Sequence, residues 1–294
     1  MRFHQLSLHN TSSRARRTHG PKDSIRQRSA PTSRSVSQRV FSVRSAGHRD
    51  DPDFVENPSP SELIVAQERM NDLVLSLLDV DDGMYIADVG CGFGGSLEVL
   101  NEHHNALSLI GLNIDRCQIE IAQGIQFSHT NSIMWLQGDG CKLPMRDSSL
   151  DRVLCLEALP HFDSRDAFFG EMERVLRPGG LLALADLLIL PQALATVGMT
   201  SERFARMLDR YFGPWISPFD ALNAVDEMAE RRNLQVINRI DATRNTAPTF
   251  RVALYGDPTG SASQQGLQEM LEIIIHLHRL GQIVHTYTSY RLVS

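Results

Sequence analysis

Several residue types are scarce in this 294-residue chain. It has four cysteines, and none of them stands in a C-x-x-C pair. Scattered cysteines argue against a disulfide framework or a zinc site, so we interpret them as small buried apolar residues in a reducing compartment. The apolar runs are also short, far below the ~20 residues that a membrane-spanning helix needs, which excludes membrane insertion.

Acidic residues are scarce in one region only, the first 49 residues. There Asp23 is the single acid against ten arginines and one lysine, a net charge of +10, so the remaining residues carry −16 to give the total of −6. Because phosphate contacts need clustered basic side chains, this acidic body argues against nucleic acid as a partner. The basic segment is too poor in large apolar residues to offset its ordering entropy. We therefore expect residues 1–50 to be a disordered basic tail and residues 51–294 to form the folded domain.

The arginine- and serine-rich tail has a second interpretation, because organelle transit peptides have the same composition. We expect a cytoplasmic protein, with organelle targeting as the alternative. The sequence predicts no oligomeric state.

Two kinds of apolar pattern alternate along the rest of the chain. Short runs bounded by Gly, Asp or Pro predict buried strands at residues 84–89, 107–112, 133–136, 150–156, 180–185, 234–240 and 283–292. Helical spacing predicts a first helix that Ser59 caps and that ends near Leu78, then helices at residues 96–105, 116–127, 165–176, 202–211, 219–232 and 267–280. This alternation predicts an α/β fold built on a parallel, doubly wound sheet, without fixing the strand order.

The strongest local motif is Asp88-Val-Gly90-Cys-Gly92-Phe-Gly94, a buried strand that enters a glycine turn. Glycines permit a tight turn and the close approach of a ligand to the end of the strand. The spacing of Gly90, Gly92 and Gly95 also fits the G-x-G-x-x-G fingerprint of dinucleotide binding. A different nucleoside ligand is favoured by the acid two residues before the first glycine. It is also favoured by Asn113, which stands where a carboxylate would bind ribose hydroxyls.

Four blocks, in this order, resemble the class I S-adenosylmethionine-dependent methyltransferases. They are residues 88–94 (DVGCGFG), 111–118 (GLNIDRCQ), 137–153 (with QGDG, LP and DRV) and 173–180 (ERVLRPGG). Residues 156–162 (LEALPHF) and 184–186 (LAD) resemble the natural-product O-methyltransferases of the erythromycin and rebeccamycin type. The resemblance implies a Rossmann-like sheet of about seven strands and S-adenosylmethionine as the cofactor.

The resemblance also implies which residues contact the cofactor at the carboxyl edge of the sheet. The eight candidates are Asp88, Gly90, Gly92, Gly94, Asn113, Gln118, Asp139 and Gly140. The glycine turn would lie against the adenosine and methionine parts, the two amides would bond the ribose hydroxyls, and Asp139 would accept from the adenine amino group. The alternative for Gln118 and Asp139 is capping of a strand end, and Asp115 is a candidate helix N-cap.

Three residues are candidates for catalysis. Methyl transfer to a hydroxyl needs a general base, and His161 follows the fourth strand in an apolar setting where substrate would lie. Asp186, at the end of the fifth strand, could orient this histidine, act as a base or bind a metal. Glu157 could face the methyl-sulfonium or stabilise a developing cation. The alternative for all three is a structural role at strand or helix ends.

Aromatic residues and methionines are concentrated in residues 191–232, a segment inserted after the fifth strand. We expect it to form a helical lid over an apolar substrate, with ordinary core packing as the alternative. His276 and His278 point in different directions on a helix, so no metal site is predicted.

The predicted function is therefore S-adenosylmethionine-dependent methylation of a small molecule, most simply a hydroxyl of a natural product such as a sugar or polyketide. One alternative is C- or N-methylation on the same scaffold. The other is a cyclase or binding protein that holds the cofactor without transferring its methyl group.

Overall fold

The computed structural model describes residues 49, 60–125, 127, 130–215, 219–255 and 262–293. The predicted tail, apart from Arg49, lies outside the described residues, as does the predicted N-cap Ser59.

One seven-stranded sheet organises the described residues. Its strands are β1 (Tyr85–Val89), β2 (Ser108–Asn113), β3 (Ser132–Gln137), β4 (Leu150–Leu156), β5 (Leu176–Ile189), β6 (Leu234–Asp241) and β7 (Ile283–Leu292). Their order in the sheet is β3-β2-β1-β4-β5-β7-β6. The first five strands run parallel, whereas β7 is antiparallel to both of its neighbours. The sheet is therefore mixed, whereas the sequence pattern predicted a parallel sheet.

Nine helices are described around this sheet. They are α1 (Pro60–Ser76), α2 (Gly95–His103), α3 (Arg116–Ala122), α4 (Arg165–Val175), α5 (Ala193–Val197), α6 (Ser201–Phe212), α7 (Leu222–Glu230), α8 (Thr243–Tyr255) and α9 (Ala262–Arg279). Asp115 caps α3, as predicted, because its carboxylate accepts a hydrogen bond from the backbone N–H of Cys117 at 2.8 Å. No helix among these residues is long and apolar enough to cross a membrane.

Several predicted boundaries were wrong, and two helices, α5 and α8, have no counterpart among the predicted helices. β5 is longer than residues 180–185, α3 ends five residues before 127, and α9 starts at Ala262 rather than near 267. α8 was not predicted because this helix contains Pro248 and several threonines, which disfavour helix interiors.

Helices cover both faces of the sheet, which confirms the predicted α/β architecture. On one face α4 and α7 bury Phe168, Phe169 and Val225 against the central strands. On the other face lie α1, α2 and α3, whose apolar side chains include Val74 and Leu97. A further cluster joins α5, α6 and α9 to the ends of β5 and β7. The last cluster therefore stands at the carboxyl edge of the sheet, beside the candidate site.

Candidate active site

A left-handed glycine turn follows β1 at the carboxyl edge. Gly90, Gly92 and Gly94 have φ values of 84°, 55° and 85°, which side chains rarely adopt. A Cβ atom at Gly90 would collide with the Cβ of Ala158, and one at Gly94 would collide with the ring of Trp135. At Gly92 an added Cβ would meet only Oε1 of Gln118 within 4 Å, at 3.8 Å. The turn therefore needs glycine, and its Gly92 side is the one open to a ligand.

A buried acid lies directly below this turn. Asp88 is 2% exposed, and none of the described residues donates a hydrogen bond to its Oδ1 atom. Burial raises the pKa of Asp88 to about 7. A buried acceptor without a protein donor is a position where a ligand's donor group fits. The turn and this carboxyl group together suit a polar, amine-bearing ligand.

The end of β2 brings the predicted amides together. Nδ2 of Asn113 donates to Oε1 of Gln118 at 3.0 Å, and Nε2 of Gln118 donates to Oδ2 of Asp115 at 3.4 Å. Each amide nitrogen carries a second hydrogen that these bonds do not use. The pair is thus held in place beside the glycine turn with donors left for a vicinal diol.

The loop after β3 holds Asp139 and Gly140. Oδ1 of Asp139 accepts from the backbone N–H of Cys141 at 2.8 Å, so the carboxylate has the loop-capping contact that the sequence analysis gave as its alternative. A Cβ at Gly140 would lie 2.7 Å from the ring of Phe162. The same ring comes within 3.8 Å of a Cβ placed at Gly90. The ring of Phe162 is therefore an apolar surface between the two glycines, a role that no local pattern in the sequence indicated.

His161 lies in the loop after β4 and contacts the segment inserted after β5. Its Nδ1 atom is 2.7 Å from the backbone oxygen of Pro214. Its ring meets the indole of Trp215 edge-on, with 6.0 Å between ring centroids. The carbonyl favours the tautomer with the proton on Nδ1, which leaves the lone pair on Nε2.

Glu157 begins the same loop in a left-handed conformation, with φ of 53°. Its backbone N–H donates to the carbonyl oxygen of Ala185 at 2.9 Å, and its Oε1 atom lies 3.3 Å from Nε2 of His285. His285 lies on β7 and is fully buried. No local signal in the sequence pairs these two residues.

Asp186 is held by an arginine that the sequence analysis did not single out. The side chain of Arg165 forms a buried ion pair with Asp186, and its Nε atom lies 3.1 Å from Oδ2 of Asp220. Burial raises the pKa of Asp186, and the adjacent guanidinium opposes this effect. Among the described residues, the side chain of Asp186 contacts Arg165 and the backbone N–H of Leu187, and no contact with His161 is found. Its role as an orienter or base stays a prediction.

The segment predicted as a lid divides into two parts. α7 packs on α4 and β6 and so belongs to the layer that covers the sheet. α5 and α6 instead pack with α9 over the ends of β5 and β7. The residues over the edge therefore come from two insertions, one after β5 and one after β6, and only the first was predicted. We call α5, α6 and α9 the cap.

Comparison with known proteins agrees with this geometry. The family described as "Methyltransferase domain" matches residues 87–184. Methyltransferase GfsG from Streptomyces halstedii is 32% identical over 197 residues, which cover 65% of this chain and 68% of that protein. O-methyltransferase resE from Aspergillus sclerotiorum is 31% identical over 207 residues, 67% of this chain and 73% of that protein.

One further relative and one solved structure extend the comparison. The 27-O-demethylrifamycin SV methyltransferase of Amycolatopsis mediterranei is 32% identical over 128 residues, 43% of this chain and 47% of that protein. The structure of mycolic acid cyclopropane synthase CmaA1, complexed with SAH, has a TM-score of 0.68 and 20% identity, covering 84% of this chain and 89% of that one. These findings confirm the predicted enzyme class and its cofactor, S-adenosylmethionine. This chain belongs to the class I S-adenosylmethionine-dependent methyltransferases.

Proposed function

We propose that this enzyme methylates a hydroxyl oxygen of a small natural product, with His161 as the general base. The observation that carries the proposal is the 2.7 Å contact between Nδ1 of His161 and the Pro214 carbonyl. This contact holds a proton on Nδ1, so that Nε2 is the ring nitrogen that can take the hydroxyl proton.

The residues around the turn fit the cofactor. We propose that Asp88, the glycines 90, 92 and 94, and the amides of Asn113 and Gln118 hold S-adenosylmethionine, with Asp139 and Gly140 next to the adenine. When bound, the cofactor supplies a methyl carbon on a sulfonium leaving group, so the protein needs mainly to align the acceptor and exclude water. Phe162 and the cap would perform this exclusion.

A second observation supports an oxygen acceptor near His161. The indole N–H of Trp215 is buried, and no acceptor for it occurs among the described residues. Trp215 packs edge-on against His161, so a substrate oxygen bound beside this histidine could accept a hydrogen bond from the indole N–H. The names of two relatives point the same way: resE is called an O-methyltransferase, and the Amycolatopsis enzyme is named for an oxygen of a rifamycin.

The experiment is a product assay. The purified protein is incubated with methyl-deuterated S-adenosylmethionine and a panel of hydroxylated macrolides, glycosides and phenols, and products are analysed by mass spectrometry and NMR. We expect a product heavier by one labelled methyl group, with the label on oxygen. Labelled methyl on carbon or nitrogen would contradict O-methylation, and altered substrate beside intact cofactor would indicate a cyclase.

Carbon methylation is the second candidate, because of Glu157. A carboxylate that faces the reacting centre stabilises the cation formed when an alkene attacks a methyl group, and such a reaction needs no base at His161. The position of the label in the product assay separates the two candidates. In the carbon case, Glu157→Gln would lower turnover more than His161→Ala.

A further inference from the structure

Asn71 is a buried residue of α1 whose side chain lies against the start of α2. It is 1% exposed, and its Oδ1 atom accepts a hydrogen bond from Oγ of Ser96 at 2.6 Å. Ser96 is the second residue of α2 and comes two residues after Gly94 of the glycine turn. A helix that precedes every motif of the proposed cofactor site therefore places an amide side chain beside the turn.

The nitrogen end of this amide lacks an acceptor. The bond to Ser96 uses the oxygen, and none of the described residues accepts a hydrogen bond from Nδ2. Burying an N–H donor without an acceptor is unfavourable, so such a group marks a position where a ligand supplies the acceptor. We therefore expect a ligand oxygen next to Asn71.

The start of α2 favours a negatively charged oxygen. The N-cap residue Gly94 has no side chain, and no side-chain cap bond is found at this end of the helix. The first N–H groups of a helix and its dipole together attract anions. Glu98, the acid of the first turn, is two residues after Ser96 and so projects about 200° around the helix from it. The amide of Asn71 thus adds a side-chain donor to a helix end that already attracts negative charge.

A buried group of the opposite kind stands on the other side of the turn. Asp88 is the last residue but one of β1, and its Oδ1 atom lacks a donor among the described residues. The chain therefore offers an acceptor for a cation before the turn and donors for an anion after it. An α-amino acid carries an ammonium and a carboxylate on one carbon, and S-adenosylmethionine ends in such a group.

We propose that Asn71 donates a hydrogen bond from Nδ2 to the carboxylate of the cofactor's methionine part, while Asp88 meets the ammonium. This inference rests on the proposed cofactor site and adds a residue of α1 to it. Ser96 is a positioning residue, because its hydroxyl holds the amide oxygen and leaves the nitrogen for the ligand. The protein then recognises the amino-acid end of the cofactor as well as its nucleoside end.

The test compares three thioether ligands that lose the amino-acid end in steps. S-Adenosylhomocysteine has both charged groups, its decarboxylated analogue keeps only the amine, and 5′-methylthioadenosine has neither. Calorimetry at pH 8, above the pKa of about 7 of Asp88, gives the Kd of each ligand for the full-length protein. The Kd of the decarboxylated analogue divided by that of S-adenosylhomocysteine measures the contribution of the carboxylate. We expect Asn71→Ala to lower this ratio about 10-fold, the size of one hydrogen bond to a charged group, and to leave the Kd of 5′-methylthioadenosine unchanged.

Asn101→Ala is the matched control. Asn101 is also a buried asparagine, 3% exposed, but it lies near the end of α2, and its Oδ1 atom accepts from Nδ2 of Asn131 at 3.0 Å. Its replacement should leave the ratio unchanged. Asp88→Asn should weaken both amine-bearing ligands equally and so also keep the ratio. An unchanged ratio in Asn71→Ala, or an equal loss for all three ligands, would overturn the proposal.

A second pair of measurements covers a variant that fails to fold. Asn71→Ala leaves the Ser96 hydroxyl without its acceptor, so the double variant N71A/S96A removes both partners and should show the same fall in the ratio. In the native protein, nitrogen-15 NMR should show the side-chain N–H signals of Asn71 shifting more with S-adenosylhomocysteine than with its decarboxylated analogue. Equal shifts would overturn the proposal.

The outcomes separate this inference from the site on which it rests. If the native protein binds none of the three ligands, the proposed cofactor site fails. If it binds them with a ratio that neither Asn71→Ala nor the double variant changes, only the present inference fails.

Discussion

The two halves of the active-site edge are built in different ways. Around the cofactor turn the hydrogen bonds of the predicted polar side chains are local, as in the one from Asn113 to Gln118, five residues away. In the acceptor half, each contact joins distant parts of the chain. His161 meets Pro214 53 residues later, and Glu157 meets His285 on the last strand. The nucleoside half is therefore encoded in short motifs, whereas the acceptor half depends on how the whole domain folds.

The largest expected effect belongs to the acceptor half. His161→Ala should lower kcat by about 10²–10⁴-fold, the usual contribution of a general base. The Kd of S-adenosylhomocysteine, measured by calorimetry, should stay nearly the same, because His161 lies outside the turn. His104→Ala, at the end of α2, is the control and should leave both quantities unchanged. If His161→Ala weakened the binding of S-adenosylhomocysteine as much as it lowers kcat, the acceptor half and the cofactor half would not be separate.

Arg165 should matter for stability. Arg165→Met removes one member of a buried ion pair and leaves the Asp186 carboxylate without its partner, which should cost about 3–5 kcal/mol in the free energy of unfolding. Urea denaturation measures this cost. The double variant R165M/D186L should recover much of the loss, since the fully buried carboxylate of Asp186 is then removed as well and only the partly exposed Asp220 loses its partner. If the single variant unfolds like the native protein, the ion pair does not hold the acceptor half together.

Asp88 should make stability depend on pH. Its pKa is raised to about 7 in the folded protein, above the value near 4 in an unfolded chain. The folded state therefore binds the proton more tightly, and the resulting stability is lost as the pH rises from about 4 to 7. When the pH is raised from 5 to 8, the free energy of unfolding should fall by a few kcal/mol less in Asp88→Asn than in the native protein. Urea unfolding of the ligand-free form measures this difference. Parallel pH profiles for the two proteins would contradict this assignment.

The smallest effect separates backbone conformation from crowding at the turn. Gly90→Ala should be less stable than Gly179→Ala by about 1–3 kcal/mol. Both glycines have φ near 80°, but a Cβ at Gly179 has open space whereas one at Gly90 meets Ala158. Thermal unfolding of the two variants provides the comparison. Equal losses would mean that Ala158 moves aside and that the turn is less tightly enclosed than the structure indicates.

This contrast explains what could be predicted from the sequence. The glycine turn, the Asp115 cap and the succession of the seven strands follow from local rules of backbone conformation and apolar spacing. The place of β7 between β5 and β6 does not, because strand order is decided by packing across the whole sheet. The partners of Asp186 and Glu157 were missed for the same reason. Arg165 and His285 become recognisable as site residues only when the sheet brings them to its edge.

The composition of the cap also could not be predicted from local patterns in the sequence. Residues 191–232 were predicted from their aromatic content to form the lid, but α9, which follows β6 and belongs to another insertion, packs with α5 and α6 in the cap. Periodicity predicted most of α9 as a helix, and nothing in that pattern states what the helix covers. Buried side chains such as Phe204 and Ile274 show the two insertions packed together.

The position of β7 has a consequence for biosynthesis. This strand is the last of the seven to be synthesised, yet it lies inside the sheet, and among the described strands it is the one that pairs with β6. During translation, both edges of β6 therefore stay unpaired until about forty further residues and then β7 have been synthesised. A chaperone that binds nascent chains at that stage would protect a strand with two exposed edges, one of which is covered by β7 in the folded enzyme.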